Sequence, residues 1–103
     1  MASGKLGNAN VSAASNTTLF QAASGKVTTF NVGICNTGSD TVTFRLAISA
    51  TATPVAGEYI EYNVALAPNA VFERSGLVAS GSEYIVIYAS ATGLNARAWG
   101  FEQ

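Results

Sequence analysis

From about Thr17 onward, apolar and polar residues alternate along most of the chain, which is the pattern of half-buried β-strands. Residues 30–48, FNVGICNTGSDTVTFRLAI, hold two such runs on either side of a turn-rich stretch. Only Asp40 and Arg45 are charged in these nineteen residues, so the outer face of the two runs is unusually poor in charge. The length and composition of residues 36–40 predict a hairpin connection between the runs.

The same reading extended along the chain predicts seven strands, separated by clusters of Gly, Pro, Asn, Ser and Asp that favour turns. Apolar residues never recur at helical spacing over three turns, so no long helix is expected. Short strands at this spacing predict an all-β fold: a single antiparallel β-sandwich, jelly-roll-like or immunoglobulin-like, of about seven to eight strands. The predicted strands cover residues 18–22, 27–35, 41–49, 59–66, 71–75, 83–90 and 95–102.

Alternation also predicts which side chains face the core of the sandwich. Residues 84–88, YIVIY, depart from it because they are apolar on both faces, which indicates a strand covered on both sides. We expect one cover to be the core and the other to be a loop, the N-terminal segment or another chain. The predicted core residues are Phe30, Val32, Ile34, Val42, Phe44, Leu46, Ile48, Ile60, Tyr62, Val64 and Leu66.

The first sixteen residues are mostly Ala, Ser, Gly and Asn, with Leu6 and Val11 as the only sizeable apolar side chains. Such a segment buries too little apolar surface to fold alone. We therefore predict that residues 1–16 form an extended arm, flexible or ordered by a partner, and that residues 17–103 form the sandwich.

Charged residues make up 11% of the chain and the net charge is −1, whereas an ordinary soluble domain has about 25% charged residues. Five scattered basic residues cannot form the basic stripe of a nucleic-acid-binding protein, and no apolar run approaches the ~20 residues of a membrane span. Lys, which protects the edge strands of monomers, is absent after Lys26. We expect much of the surface to be covered in an assembly.

Residues that carry chemistry are scarce. The chain has no His and one Cys, Cys35, which excludes a Ser-His-Asp arrangement and a structural zinc site within one chain. Glu58 and Glu61, three apart on a predicted strand, would face opposite ways and could not act as a pair. Glu73 and Arg74, adjacent on another strand, would face opposite ways and should either pair across strands or reach different partners. We predict no catalytic residue, no metal site, no cofactor and no enzymatic activity.

Aromatic residues leave two interpretations open. Trp99 and Phe101 share one face of the last strand with Asn95 and Arg97, and small residues occupy its other face. Packing in the core or at a subunit interface is the favoured interpretation, because Trp and Tyr are enriched at interfaces. The alternative is a sugar-stacking platform on one face of the sandwich, formed by Tyr59, Tyr62, Asn63, Asn95, Trp99 and Phe101.

Three segments carry a resemblance to a known class of proteins: residues 30–48, residues 58–90 (EYIEYNVALAPNAVFERSGLVASGSEYIVIYAS) and the terminal WGFE at 99–102. They resemble small β-sandwich virion proteins of tailed bacteriophages, among them capsid decoration (cement) proteins and modules of tail or fibre proteins. The resemblance runs from about Thr17 onward and rests on strands and turns, with no catalytic motif.

The resemblance implies a homotrimer on the outer surface of the capsid, made in the host cytoplasm, with the major capsid protein as its partner. Because the chain begins at Met1 and has 103 residues, we expect a stand-alone decoration subunit. The alternative is a tail, neck or fibre protein with a glycan- or host-binding surface. The predicted contact residues are Leu6, Val11, Tyr84, Tyr88, Trp99 and Phe101, with a free strand edge near residues 84–88.

Overall fold

The structure, a computed structural model, describes residues 3–103, which form eight strands and one turn of 3-10 helix at Ala56–Glu58. The strands lie in two four-stranded sheets, so the prediction of an all-β sandwich is confirmed. Strand 59–66 has the predicted bounds, and the others differ by one to five residues at an end. The strands are β1 Ser3–Asn10, β2 Asn16–Gln21, β3 Val27–Asn36, β4 Val42–Ser49, β5 Tyr59–Leu66, β6 Val71–Ser80, β7 Tyr84–Ala89 and β8 Leu94–Glu102.

The strand pairing is that of a long antiparallel ribbon rolled into a sandwich. β1 pairs with β8, β2 with β7, β3 with β6 and β4 with β5. Two more antiparallel pairings, β3 with β8 and β4 with β7, complete the sheets. Sheet A has the order β1-β8-β3-β6 and sheet B the order β2-β7-β4-β5. This is the eight-stranded jelly roll, the first of the two expected arrangements.

In this arrangement β4 and β5 are the only consecutive strands that lie in the same sheet. The prediction of a hairpin at residues 36–40 is therefore wrong, because β3 belongs to sheet A and β4 to sheet B. Alternation shows that two runs are strands, but it carries no information on which strands pair.

The N-terminal segment is part of the sandwich rather than an arm. Ser3–Asn10 is β1, which pairs with β8 along its length. Leu6 packs against the core, and Val11 is a core residue with 3% of its surface exposed. The arm prediction is thus wrong for residues 3–16, and residues 1 and 2 lie outside the described residues. The composition of this segment led to the wrong prediction because pairing with β8 satisfies the backbone N–H and C=O groups of β1. That pairing does not depend on which side chains β1 carries.

Small side chains let β1 close over the neighbouring sheet. At Gly7 a β-carbon would lie 2.2 Å from the backbone oxygen of Leu19 on β2, so no larger residue fits there without a shift of the backbone. Gly7, one of the small residues on which the arm prediction was based, therefore allows β1 to approach β2.

Most predicted core residues are buried or pack against the core, but Tyr62 is 56% exposed. The register of β4 and β5 shifts between the pairs Phe44–Val64 and Leu46–Glu61, and Asn63 within this bulge has a φ of +52°. A bulge adds one residue to a strand and so reverses which side chains face inward beyond it. The bulge turns Tyr62 outward, and strict alternation could not predict it.

A second bulge changes the phase of β6. The register shifts between the pairs Val32–Arg74 and Phe30–Leu77, and Gly76 between them has a φ of +72°. Leu77 is therefore buried, although continued alternation from Phe72 would have placed it outside.

Asn36, the last residue of β3, holds together the connections at one end of the sandwich. Its fully buried amide donates to the backbone oxygens of Asp40 (2.8 Å) and Leu66 (2.9 Å), and its Oδ1 accepts from the N–H of Gly38 (2.9 Å). Its backbone also bonds to both Asn69 and Ala70. One side chain thus links the β3–β4 connection to the end of β5.

The close approach of β1 to β2 predicts that Gly7→Ala destabilises the protein by about 2 kcal/mol, the cost of forcing an extra methyl group against packed backbone. Chemical denaturation measures the change. Gly57→Ala is the matched control, since a β-carbon there meets nothing within 4 Å, and it should leave stability almost unchanged. Equal stability of the two variants would contradict the placement of β1.

The hydrogen bonds of Asn36 predict that Asn36→Ala lowers the free energy of unfolding by about 3 kcal/mol, because polar backbone groups lose their partners. Asn8→Ala removes the same side chain from an exposed position of β1, where it makes no hydrogen bond within residues 3–103, and should cost far less. The two variants are compared by urea denaturation. A loss at position 36 no larger than that at position 8 would exclude the proposed role of Asn36.

Candidate functional site

The outer face of sheet B carries all four tyrosines of the chain, grouped around one arginine. The Arg45 guanidinium carbon lies 4.3 Å from the centre of the Tyr62 ring and 4.6 Å from that of Tyr88. Tyr62 also meets Tyr59 edge to face, with ring centres 5.0 Å apart. We call this surface the tyrosine face; it comprises Arg45, Tyr59, Tyr62, Asn63, Tyr84 and Tyr88.

Strand position explains how these residues come together. Tyr84, Val86 and Tyr88 alternate on β7, in the middle of sheet B, with Ile85 and Ile87 pointing to the core. Val86 is 1% exposed even though it points away from the core. The predicted burial of both faces is confirmed only at Val86, because Tyr84 and Tyr88 are half-buried, and the second cover by a loop, the N-terminal segment or another chain stays a prediction. Because β7 lies between β2 and β4, the free strand edge predicted there does not exist.

Arg45 is held in place on three sides. The rings of Tyr62 and Tyr88 stack on its guanidinium, and its Nε donates to Asn63 Oδ1 at 2.8 Å. Within residues 3–103 no carboxylate pairs with it, and its terminal nitrogens have no hydrogen-bond partner. Stacking on two aromatic rings stabilises a cation without neutralising it. The tyrosine face thus presents an oriented, half-buried positive charge.

The outer face of sheet A is different in character. Four of the six large apolar side chains that are exposed within residues 3–103 lie on it, namely Val27, Val71, Val78 and Phe101, at 40 to 69% exposure. Val78 and Phe101 flank Thr29 on neighbouring strands, and Val27 lies two residues further along β3. Trp99 stands next to Phe101 on the same face, with its ring over Gly33. We call Val27, Val78, Trp99 and Phe101 the apolar patch.

A polar concavity adjoins the apolar patch on the same sheet. It has a volume of about 540 Å³, and Gly33 and Cys35 form part of its floor. Its rim includes two cations, Lys5 and Arg97, and three carboxamides, Asn8, Asn10 and Asn95.

The predicted contact residues therefore separate into three locations. Val11 lies in the core, so its assignment as a contact is wrong. Leu6 is half-buried and packs against the core from β1, and its role as a contact stays a prediction. Tyr84 and Tyr88 lie on the tyrosine face, and Trp99 and Phe101 in the apolar patch on the opposite sheet. The sugar-stacking platform cannot exist as predicted, because its six residues are divided between the two sheets. Tyr59, Tyr62 and Asn63 lie on sheet B, and Asn95, Trp99 and Phe101 on sheet A.

Sequence reasoning missed Arg45 as an organising residue, and it missed Val78. Arg45 stood out as a charge among apolar residues, which was the available signal. Val78 could have been found from Gly76, since a glycine inside a strand often marks a bulge that reverses the alternation.

Arg74 pairs with Glu61 across the edges of the two sheets. Its neighbour Glu73 faces outward opposite Gly33 and makes no side-chain hydrogen bond or ion pair within residues 3–103, so the expectation of a separate partner for Glu73 stays a prediction. Within residues 3–103 no three His, Cys, Asp or Glu side chains group so as to hold a metal ion. None of the helical segments in that range is long and apolar enough to cross a membrane.

No protein-family model matches this chain, and no curated protein matches it.

A carboxylate fixes the loop beside the tyrosine face. Glu58 accepts hydrogen bonds from the N–H groups of Ala50 and Val55 and from the hydroxyl of Ser49, each at 2.9 Å. These bonds, those of the backbone first, lower the pKa of the Glu58 carboxyl from its usual value. The charged form of Glu58 is therefore the one that orders residues 49–58.

Because folding lowers the pKa of Glu58, its contribution to stability is present above the unfolded pKa, near 4.5, and is lost as pH falls through the folded value. Glu58→Gln should destabilise the protein at pH 7, and its deficit relative to the wild type should shrink towards pH 3. Urea denaturation across this range measures both proteins. A deficit that is independent of pH would contradict the assignment.

Proposed function

We propose that this chain is a non-catalytic structural protein of a virion: a capsid decoration (cement) protein that binds the outer capsid surface as a homotrimer and stabilises the shell. The observation that carries the proposal is the apolar patch on sheet A. The resemblance to phage virion proteins supports the choice of particle, and jelly rolls recur in viral capsid proteins.

The apolar patch favours a subunit of an assembly over a solitary protein. Val27, Val78, Trp99 and Phe101 are neighbouring aromatic and β-branched residues on one sheet face, and a group of exposed apolar side chains marks an interaction surface where singly scattered ones do not. Burial of apolar surface is worth about 25 cal/mol per Å². Trp and Phe are also the anchors that interfaces favour. Charge does little to oppose contact between copies, since the net charge is −1.

The proposed mechanism is bridging. A ligand that binds the expanded shell, but not its dissociated subunits, stabilises that shell in proportion to binding. A trimer makes three contacts at once, so individually weak contacts add up to strong attachment. In this scheme the apolar patch joins the copies and another surface meets the capsid.

A second candidate is a tail, neck or fibre protein that adheres to a host glycan. The polar concavity on sheet A favours it, because carboxamides and cations such as Asn95 and Arg97 are suited to hydroxyl-rich or acidic sugars. Both candidates are structural, and they differ in the position of the protein on the particle.

The apolar patch predicts that Val78→Glu converts the homotrimer into monomers, because each interface would bury an unpaired charge. Val55→Glu is the matched control, since Val55 is equally exposed but lies in the β4–β5 loop away from the patch, and this variant should stay trimeric. Light scattering after size-exclusion chromatography measures the mass. A monomeric wild type at high concentration would overturn the proposal of self-association.

The same proteins, added to expanded capsids that lack this chain, test its place on the particle. The wild type and Val55→Glu should raise the temperature at which the shell dissociates, and Val78→Glu should raise it less because avidity is lost. Electron cryo-microscopy of the virion then locates the protein. Density on the tail or fibre would favour the second candidate, and no binding to any part of the particle would exclude both.

A further inference from the structure

The tyrosine face has no role in the self-association assigned to the apolar patch, since the two lie on opposite sheets. We propose that Arg45 on this face is an anchor for a carboxylate, carried by an Asp or Glu side chain of the protein surface on which the subunit docks. This inference rests on the proposed function for its partner. The chemistry of Arg45 itself can be tested on the isolated protein.

The geometry of Arg45 defines what can bind. The Arg45 guanidinium carbon lies over the rings of both Tyr62 and Tyr88, and an anion binds a guanidinium through its N–H groups rather than through its faces. Asn63 accepts the hydrogen bond of Nε, and the terminal nitrogens remain open. A carboxylate accepts two parallel hydrogen bonds from such a fork, and it is the oxyanion that Asp and Glu side chains supply on a protein surface.

The environment of Arg45 makes a counter-ion favourable. The Arg45 side chain is half-buried and lies on the same sheet face as two buried residues, Ala47 of β4 and Val86 of β7. It has no carboxylate partner within residues 3–103. Low local dielectric strengthens an ion pair formed there relative to one in water. Because the two rings and Asn63 already order the side chain, little rotamer entropy remains to be lost on binding.

A protein surface fits the tyrosine face better than a free sugar does. Sugar rings stack on open aromatic faces, but here each of Tyr62 and Tyr88 has a face covered by the guanidinium, and Tyr59 meets Tyr62 edge to face. The polar concavity lies on the other sheet and includes no residue of the tyrosine face. Tyr and Arg grouped on a sheet face are the residues that dominate binding energy in protein interfaces.

Acetate tests the carboxylate chemistry directly. In the wild-type protein with ¹⁵N-labelled arginine, side-chain NMR follows Arg45 together with Arg97, an exposed arginine on sheet A that serves as an internal control. We expect acetate to shift the Arg45 resonances at severalfold lower concentration than those of Arg97, and chloride at the same ionic strength to shift neither. An Arg45 response no greater than that of Arg97 would overturn the proposal.

Two further titrations distinguish a protein carboxylate from a phosphate and from an acidic sugar as the ligand of Arg45. A guanidinium fork also binds phosphate, so the two ligands are compared at pH 5.5, where phosphate and acetate each carry about one negative charge. Phosphate should then bind Arg45 no more tightly than acetate, and much tighter phosphate binding would reject the carboxylate assignment. Glucuronate should bind no better than acetate. Much tighter glucuronate binding would assign Arg45 to an acidic sugar and would overturn the protein partner.

Arg45→Lys tests the docking role, because lysine keeps the charge but loses the fork. It should weaken binding to expanded capsids about tenfold, the loss expected for a charge-assisted hydrogen bond, while the control Arg74→Lys, at an arginine that already pairs with Glu61, binds as the wild type does. Wild-type affinity in Arg45→Lys would refute the anchor. If the wild-type protein binds no capsid, the proposed function fails, and the capsid surface is excluded as the partner of Arg45. The acetate titration still decides whether Arg45 binds a carboxylate.

Discussion

The pairing of the two chain ends, β1 with β8, is the interaction on which the rest of the structure depends. β8 carries Trp99 and Phe101, and it lies inside sheet A only because β1 covers its outer edge. Without β1, a row of unpaired N–H and C=O groups would be exposed next to the most apolar surface of the molecule. The pairing also closes the sandwich, since Gly7 brings β1 against β2 of the other sheet. Backbone hydrogen bonding, and not apolar burial by β1 itself, therefore fixes the faces on which function is proposed.

Two bulges then decide which side chains reach those faces. The bulge at Asn63 brings Tyr62 out to stack on Arg45, and the carboxamide of the same residue holds the guanidinium. The bulge at Gly76 turns Leu77 inward and leaves Val78 in the apolar patch. Each bulge disrupts regular hydrogen bonding locally and reverses the direction in which the side chains beyond it point. Bulges are common next to functional sites for this reason. Both proposed surfaces thus depend on interruptions of strand alternation, one shift of register on β6 and two on β5.

Local pattern predicted the properties that depend on local physics. Strand 59–66 and the single face shared by Arg97, Trp99 and Phe101 both follow from side-chain alternation. Properties that depend on distant partners could not be found in this way. The β1 strand needs β8, ninety residues away, and the path of residues 36–41 depends on which sheet receives β4. The exposure of Tyr62 depended on a non-glycine residue in a left-handed conformation, for which the sequence gives only a weak signal.

In the proposed assembly the two faces would supply different kinds of force. Apolar burial at Val78 and Phe101 is non-directional and scales with area, so it would provide affinity between copies without specifying register. An arginine held by Tyr62, Tyr88 and Asn63 binds a carboxylate through its N–H fork, so it would provide orientation at little cost in area. A subunit that must both associate with itself and sit at a defined position on a larger surface needs both forces. Because the sandwich has one core and two outer faces, it can keep them apart, and contact on one face leaves the other open.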